Sequence, residues 1–218
     1  MKSNSQLQRD VQEELNWEPS IDATGIGVSA QEGIITLTGN VPSYYEKAAT
    51  ERVVGRVAGV QGIAEELSVR LPSTSERTDT DIAKTALNAL AWNSAVPTDR
   101  AKVRVEKGWI TLSGEVEWHF QQLAAENAVT HLMGVKGVTN AISLKPNAVT
   151  AAHDIKARIE AAFNRRVASE AREITVSVQN GKVTLRGRAR SWRERDEASV
   201  SAWAAPGVTA VDNKIVAD

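Results

Sequence analysis

Cysteine is absent from the 218-residue chain, which excludes disulfides, thiolate metal sites and cysteine nucleophiles. The same absence leaves the redox compartment open, because reducing and oxidising spaces both tolerate such a chain. Histidine is scarce: His119, His131 and His153 hold non-equivalent positions, none with a partner at the i, i+4 spacing of a helical metal pair, so surface or satisfied polar roles are expected of them. No apolar run approaches the roughly 18 residues of a spanning helix, and Met1-Lys2-Ser3-Asn4-Ser5-Gln6 lacks the apolar stretch of a secretory signal. Read as it stands, the chain is expected in the cytoplasm. An excess of one charge is missing too: 26 basic against 27 acidic side chains give a net charge of −1, which argues against nucleic acid or any other polyanion held by the whole surface. Charge-driven binding has to be local.

Catalytic arrangements are also missing. No Walker loop and no G-x-S-x-G elbow occurs, and Gly25-Ile26-Gly27 has neither a third glycine nor a preceding strand. The carboxylate pairs Glu13-Glu14 and Glu65-Glu66 are sequence neighbours and read as solvated. The expectation is a non-enzymatic protein with no metal and no cofactor. What the chain does have is a globular composition, 42% hydrophobic and 24% charged, and an internal triplication.

The pattern G-x-[IV]-T-L-x-G occurs at Gly33 to Gly39, Gly108 to Gly114 and Gly181 to Gly187, offset by 75 and then 73 residues. Each copy repeats Gly-Val 26 positions after its first glycine, at Gly59-Val60, Gly134-Val135 and Gly207-Val208. The spacing exceeds that of solenoid repeats, so each copy should be a small domain: 1–71, 78–145 and 150–218, with linkers at 71–77 and 145–148. The nine glycines read as backbone devices for a turn, a strand end and a helix end.

Within a copy, Leu7, Val11 and Leu15, or Ile82, Ala86 and Leu90, or Ile155, Ile159 and Phe163, form the apolar stripe of a first helix. Two alternating runs follow, such as Ile174, Val176, Val178 and then Val183, Leu185, joined by Gln31-Glu32-Gly33, Glu106-Lys107-Gly108 or Gln179-Asn180-Gly181. Helical character resumes over 44–58, 119–133 and 192–205, and a short strand closes each copy at 66–69, 141–144 and 213–216. The order predicts an α+β fold: three tandem two-layer αββαβ domains, each a three-stranded sheet with two helices on one face and a last strand entering by a crossover.

These motifs, over nearly the whole chain, resemble the BON domain, named for bacterial osmotically inducible and nodulation proteins. The resemblance implies the αββαβ fold and a non-enzymatic role: binding phospholipid or attaching proteins to membranes in stress-induced envelope proteins. Relatives built almost entirely of such units have two copies and a signal segment, where this chain has three copies and no signal. Were Met1 to stand in place of a removed signal segment, the resemblance would put the protein in the periplasm.

Residues 1–72 hold 6 basic and 10 acidic side chains (−4), 73–145 hold 8 and 8, and 146–218 hold 12 and 9 (+3). Five arginines, Arg186, Arg188, Arg190, Arg193 and Arg195, and Trp192 fall within ten residues. Guanidinium forks pair with phosphate and an indole suits a headgroup interface, so this cluster is the candidate site for anionic phospholipid or an envelope-associated partner. The bland alternative is a solvated basic face. Opposed end charges equally suit a soluble scaffold with head-to-tail contacts or homo-oligomers. Aromatics begin the second helix of the first two copies as well, at Tyr44, Tyr45, Trp118 and Phe120, and read as caps of the small core or contacts with the next copy. Trp17 and Trp92, replaced by Arg165 in copy three, are expected in the core or between copies. Trp203, aligned with Gly55 and Thr130, is expected at an interface.

Overall fold

A computed structural model describes residues 2–146, 152–166, 174–189 and 192–217. The first repeat runs α1 (Asn4–Trp17), β1 (Ile26–Gln31), β2 (Ile34–Val41), α2 (Tyr44–Val54) and β3 (Gly62–Val69). The second comprises α3 (Asp79–Ala91), β4 (Ala101–Glu106), β5 (Trp109–Val116), α4 (His119–Thr130) and β6 (Gly137–Leu144); the third α5 (Ala152–Arg166), β7 (Thr175–Gln179), β8 (Lys182–Ala189), α6 (Trp192–Trp203) and β9 (Ala210–Ala217). Each repeat holds one three-stranded sheet with the hairpin's second strand in the middle. In the first and third sheets the hairpin is antiparallel and the last strand runs parallel to the centre. The fold is α+β, as the pattern predicts. The chain forms two compact units, Met1–Ser113 with Ala124–Ala141 and Gly114–Leu123 with Ile142–Asp218, so the middle repeat contributes to both.

The helices start where side chains satisfy their first N–H groups. Ser3 Oγ accepts from the Gln6 N–H and Thr78 Oγ1 from the Asp81 N–H, each at 3.2 Å. At α2, Ser43 Oγ accepts from the Glu46 N–H at 3.1 Å and its hydroxyl donates to the Glu46 carboxylate at 3.3 Å. Trp118 stands where Ser43 would be in the second repeat, and Gln121 Oε1 takes over by accepting from the N–H groups of Glu117 and Trp118, both at 3.0 Å.

The predicted stripes are the buried ones: Leu7, Val11 and Leu15 on α1, Ile82, Ala86 and Leu90 on α3, Ile155 and Ile159 on α5. Trp17 and Trp92 do not join them and are 84% and 90% exposed, which corrects the expectation of a core or inter-repeat role. Each lies two residues past the last stripe residue, a rotation of roughly 200° about the helix axis that puts it on the outer side. Leu87, beside the α3 stripe, is also exposed. The second helices stop two to four residues before the expected ends, and β3, β6 and β9 begin three or four residues earlier than expected, because the parallel pairing starts directly opposite the hairpin turn, at Ile34 with Gly62 and Lys182 with Ala210.

All three hairpins turn through two residues of positive φ, Glu32-Gly33 (50°, 82°), Lys107-Gly108 (52°, 81°) and Asn180-Gly181 (49°, 78°), the type I′ pattern that suits the twist of the strands. The nine repeated glycines all have positive φ. At Gly39, with φ 118°, an added Cβ would collide with the Gly25 carbonyl oxygen, so the strand end admits no side chain. The first residue of the first helix clasps the turn in two repeats. Asn4 Oδ1 accepts from the Glu32 N–H at 3.0 Å, and the Asp79 carboxylate accepts from the N–H groups of Lys107 and Gly108 at 2.7 and 2.8 Å. Ala152 holds that position in the third repeat, where the turn itself carries the favourable Asn-Gly pair.

The first repeat's core gathers Leu7, Val11 and Leu15 with Ile35, Leu37, Val53, Val54 and Leu67. The third gathers Ile155 and Ile159 with Val183, Leu185, Ala202 and Ile215, and Phe163 and Trp203 pack against its rim. Both helices of a repeat therefore cover one face of its sheet, and the other face is open.

Candidate functional site

Strand alternation decides what that open face presents. On β8, Val183 and Leu185 point into the core, so Lys182, Thr184, Arg186 and Arg188 project from the opposite face. Register adds the neighbours: Arg186 lies between Thr175 of β7 and Lys214 of β9, Thr184 between Ser177 and Asp212, Lys182 between Gln179 and Ala210, and Arg188 beside Val216. Among the described residues the face thus carries four basic groups and one acid. Asp212 is shared by Lys182 at 3.8 Å and Lys214 at 3.3 Å, surface contacts that solvent leaves weak. Arg186 and Arg188 are exposed, and Val216 is 61% exposed beside them.

The remaining members of the arginine cluster separate. Arg190 lies outside the described residues. Trp192 opens α6 and Arg193 follows, but their side chains lie outside the described set. Arg195 does not join the face. It is half-buried, and its guanidinium donates to the carbonyls of Ile215 at 3.1 Å and Asn213 at 3.5 Å, while Asn213 Nδ2 donates back to the Arg195 carbonyl at 2.9 Å. The other repeats show the same bond at the same place: Lys47 Nζ donates to the Leu67 carbonyl at 2.9 Å and Gln122 Nε2 to the Ile142 carbonyl at 2.7 Å. A cation is therefore not required there, and the position ties the second helix to the last strand. Lys182 and Lys214 were missed in the sequence because strand pairing, not chain proximity, brings them to Arg186.

The equivalent face of the first sheet differs. Thr38 and Asn40 stand at the places of Arg186 and Arg188, Glu66 at that of Lys214 and Ile34 at that of Lys182. On the middle sheet that last position is Trp109, which covers Gly137 and donates its indole N–H to Thr139 Oγ1 at 2.8 Å.

A second set of side chains lies between neighbouring repeats. Tyr45, at the start of α2, packs its ring on His131, just past the end of α4, with centroids 4.7 Å apart and planes at 48°. Tyr44 is half-buried; burial and the Glu126 carboxylate push its phenol above the ordinary tyrosine value, against a hydrogen bond with the Val138 backbone. His119, at the start of α4, stacks on Trp203 at the end of α6, with centroids 3.9 Å apart and planes at 7°. Trp118 and Phe120 lie 6.4 Å apart, with Phe120 exposed. Two of the three histidines thus sit against aromatic rings. Among the described residues no group of three or more His, Asp or Glu side chains is placed to hold a metal ion, and no helix is long and apolar enough to cross a membrane.

A two-layer αββαβ unit used three times, with ring contacts between neighbours and a basic open face on the last sheet, defines a tandem array of small α+β domains. A profile of the BON domain matches residues 3–70, 78–146 and 151–218, and the chain belongs to the BON-domain family. Osmotically-inducible protein Y of Escherichia coli (strain K12) is 28% identical over 130 residues, which are 58% of this chain and 65% of that protein, so the chain matches just under two thirds of the relative's length. Among solved structures, CdsD, a structural protein of the type III secretion system of Chlamydia trachomatis, covers 98% of this chain and 92% of its own at 14% identity and a TM-score of 0.27. Its C-terminal domain covers 100% of both chains at 15% identity and 0.26. At those scores the likeness carries no argument.

Proposed function

We propose that the protein is a non-enzymatic, stress-related binding protein of the cell envelope that attaches to anionic phospholipid surfaces through the open face of its third sheet. The observation that carries this reading is the placement of Lys182, Arg186, Arg188 and Lys214 on one solvent-facing sheet surface, where Asp212 is the one acid among the described residues. Membership of the BON family and the likeness to an osmotically inducible protein support the stress-related part. Each basic residue near an anionic bilayer is worth about 1 kcal/mol, so such a face gives weak, salt-sensitive attachment rather than insertion. Threonine and serine hydroxyls between the cations add donors for phosphate oxygens.

Co-sedimentation with vesicles tests this. Acidic vesicles at low salt are expected to retain the protein, neutral vesicles to leave it in solution, and Arg186→Glu with Arg188→Glu to abolish retention. Equal retention of parent and double variant, or no retention by acidic vesicles at low salt, would overturn the reading.

A further inference from the structure

The helix side of the third repeat holds a groove of about 470 Å³ between α5 and the end of α6, within the size range of small-molecule sites. Small residues open it. Ala161, Ala162, Ser201, Ala204 and Ala205 line the groove, and at the equivalent places the first repeat has Glu13, Glu14, Val53, Arg56 and Val57. Ser201 and Ala205 are buried and form its floor. Two guanidiniums flank the methyl groups: Arg158 and Arg165 line the same groove from α5. Seven residues apart, they share one side of the helix and stand about 10.5 Å apart along its axis, at about 1.5 Å per residue. Both are exposed, and among the described residues neither makes a hydrogen bond or ion pair. An acid at 161 would lie one turn before Arg165, and an acid at 162 one turn after Arg158, where a carboxylate neutralises a guanidinium; both places are alanine. Asp154, one turn before Arg158, lies 3.7 Å from His153 Nδ1 instead. The other repeats have Asp10 with Trp17 and Thr85 with Trp92 at the two arginine positions, so the paired cations belong to the third repeat.

We infer that this groove binds an elongated small dianion with an apolar middle, one carboxylate or phosphate group at each guanidinium and a methylene chain over the alanine methyls. Guanidinium forks take either oxyanion bidentately. Two cations set this far apart match two separated negative charges better than one compact anion, and the methyl groups between them favour methylenes over a polar linker. The site goes beyond the membrane reading, which uses the opposite side of the sheet: there a broad array of cations meets a surface, and here a trough with a cation at each end takes up a single molecule.

Isothermal titration calorimetry in lipid-free buffer at constant ionic strength tests this separately from the membrane reading. The probe is decanedioate, compared with decanoate, which lacks the second charge, with butanedioate, which is too short to span the arginines, and with inorganic phosphate. Decanedioate is expected to bind saturably and about tenfold or more tightly than the other three, the effect of one charged hydrogen-bonded contact. Arg158→Gln and Arg165→Gln, both at exposed positions, are each expected to weaken it about tenfold or more by removing such a contact. Ala161→Glu keeps a good helix former and gives Arg165 its missing partner, so it is expected to weaken binding as well. The double variant Arg186→Glu with Arg188→Glu, altered only on the sheet face, is expected to bind decanedioate as the parent does. No saturable binding of decanedioate, equal binding of any comparison anion, unchanged affinity in Arg158→Gln, Arg165→Gln or Ala161→Glu, or loss of binding in the sheet-face double variant would each overturn the inference.

Discussion

The first and third repeats share every glycine of the frame but differ in the filling beneath the second helix. Val41, Val53, Val54 and Val57 are buried in the first, where the third buries Ala189, Ser201, Ala202 and Ala205. Each Val to Ala step removes apolar bulk worth about 1.5 kcal/mol at about 0.8 kcal/mol per methylene. Phe163 in place of Leu15, and Trp203 in place of Gly55, bring rings to the third core's rim, and Trp203 stacks on His119 of the preceding repeat. The third repeat also lacks the Asn4 or Asp79 clasp on its hairpin turn. What it has instead is charge on the open sheet face. The backbone frame is thus set independently of the faces: one copy fills its core tightly behind a sheet face of Thr38, Asn40 and Glu66, and another carries the cations over a leaner core whose rim stacks on a neighbour's ring.

The sharpest test of that contrast removes matching side chains. Leu37→Ala and Leu185→Ala delete the same buried leucine of the repeated motif, at an expected cost of about 2–5 kcal/mol each. In hydrogen exchange the third repeat is expected to open first, with β7, β8 and β9 amides losing protection before β1, β2 and β3. The reverse order would break the comparison. Exchanging the faces comes next. Thr38→Arg, Asn40→Arg and Glu66→Lys together are expected to give the first sheet the acidic-vesicle affinity that Arg186→Thr, Arg188→Asn and Lys214→Glu remove from the third. At about 1 kcal/mol per charge the change is on the order of a hundredfold in either direction. A smaller effect is expected at the turns: Asp79→Ala frees two N–H groups and should cost about 1–2 kcal/mol in denaturant unfolding, whereas Ala152→Asp should recover part of that in the third repeat.

The smallest effect concerns Glu65, whose places in the other repeats hold Asn140 and Asn213. Burial pushes the Glu65 carboxyl above its ordinary value even though Lys47 Nζ lies 3.4 Å away. A raised carboxyl loses stability as pH climbs from the unfolded value, about 4.3, through the folded one. Glu65→Asn is therefore expected to raise stability at neutral pH by a few tenths of a kcal/mol, about the size solvent screening allows, and to lose that advantage below about pH 4. Thermal melts at both pH values measure it.

Local periodicity made the layers legible. Stripes at Leu7, Val11, Leu15 and alternation at Val183, Leu185 define the elements, and the recurring glycines mark the backbone positions that need positive φ. What stayed hidden depends on angles and on distant pairing. Trp17 and Trp92 read as core because size suggests burial, yet their place two residues beyond the stripe turns them outward. Arg195 belongs to the charged run in sequence, but the helix brings it to the carbonyls of β9, as Lys47 and Gln122 are brought in the other copies. Lys214 enters the face only through a parallel pairing 28 residues away from Arg186 in the chain. The ring contacts of His119 and His131 follow from packing between repeats, which no periodicity within one repeat encodes.

Unequal filling has a consequence during folding. Three central strands of one pattern in a single chain are interchangeable as far as the backbone is concerned, and repeat proteins characteristically fail by exchanging equivalent elements. A second helix bearing Val53 and Val54, with Val57 just after it, seated over the third sheet would overfill a core built around alanines, and one bearing Ser201 and Ala202, followed by Ala205, over the first would leave a void. The mismatch of core volumes therefore acts as a sorting code, rejecting swapped partners among copies whose backbones would accept them.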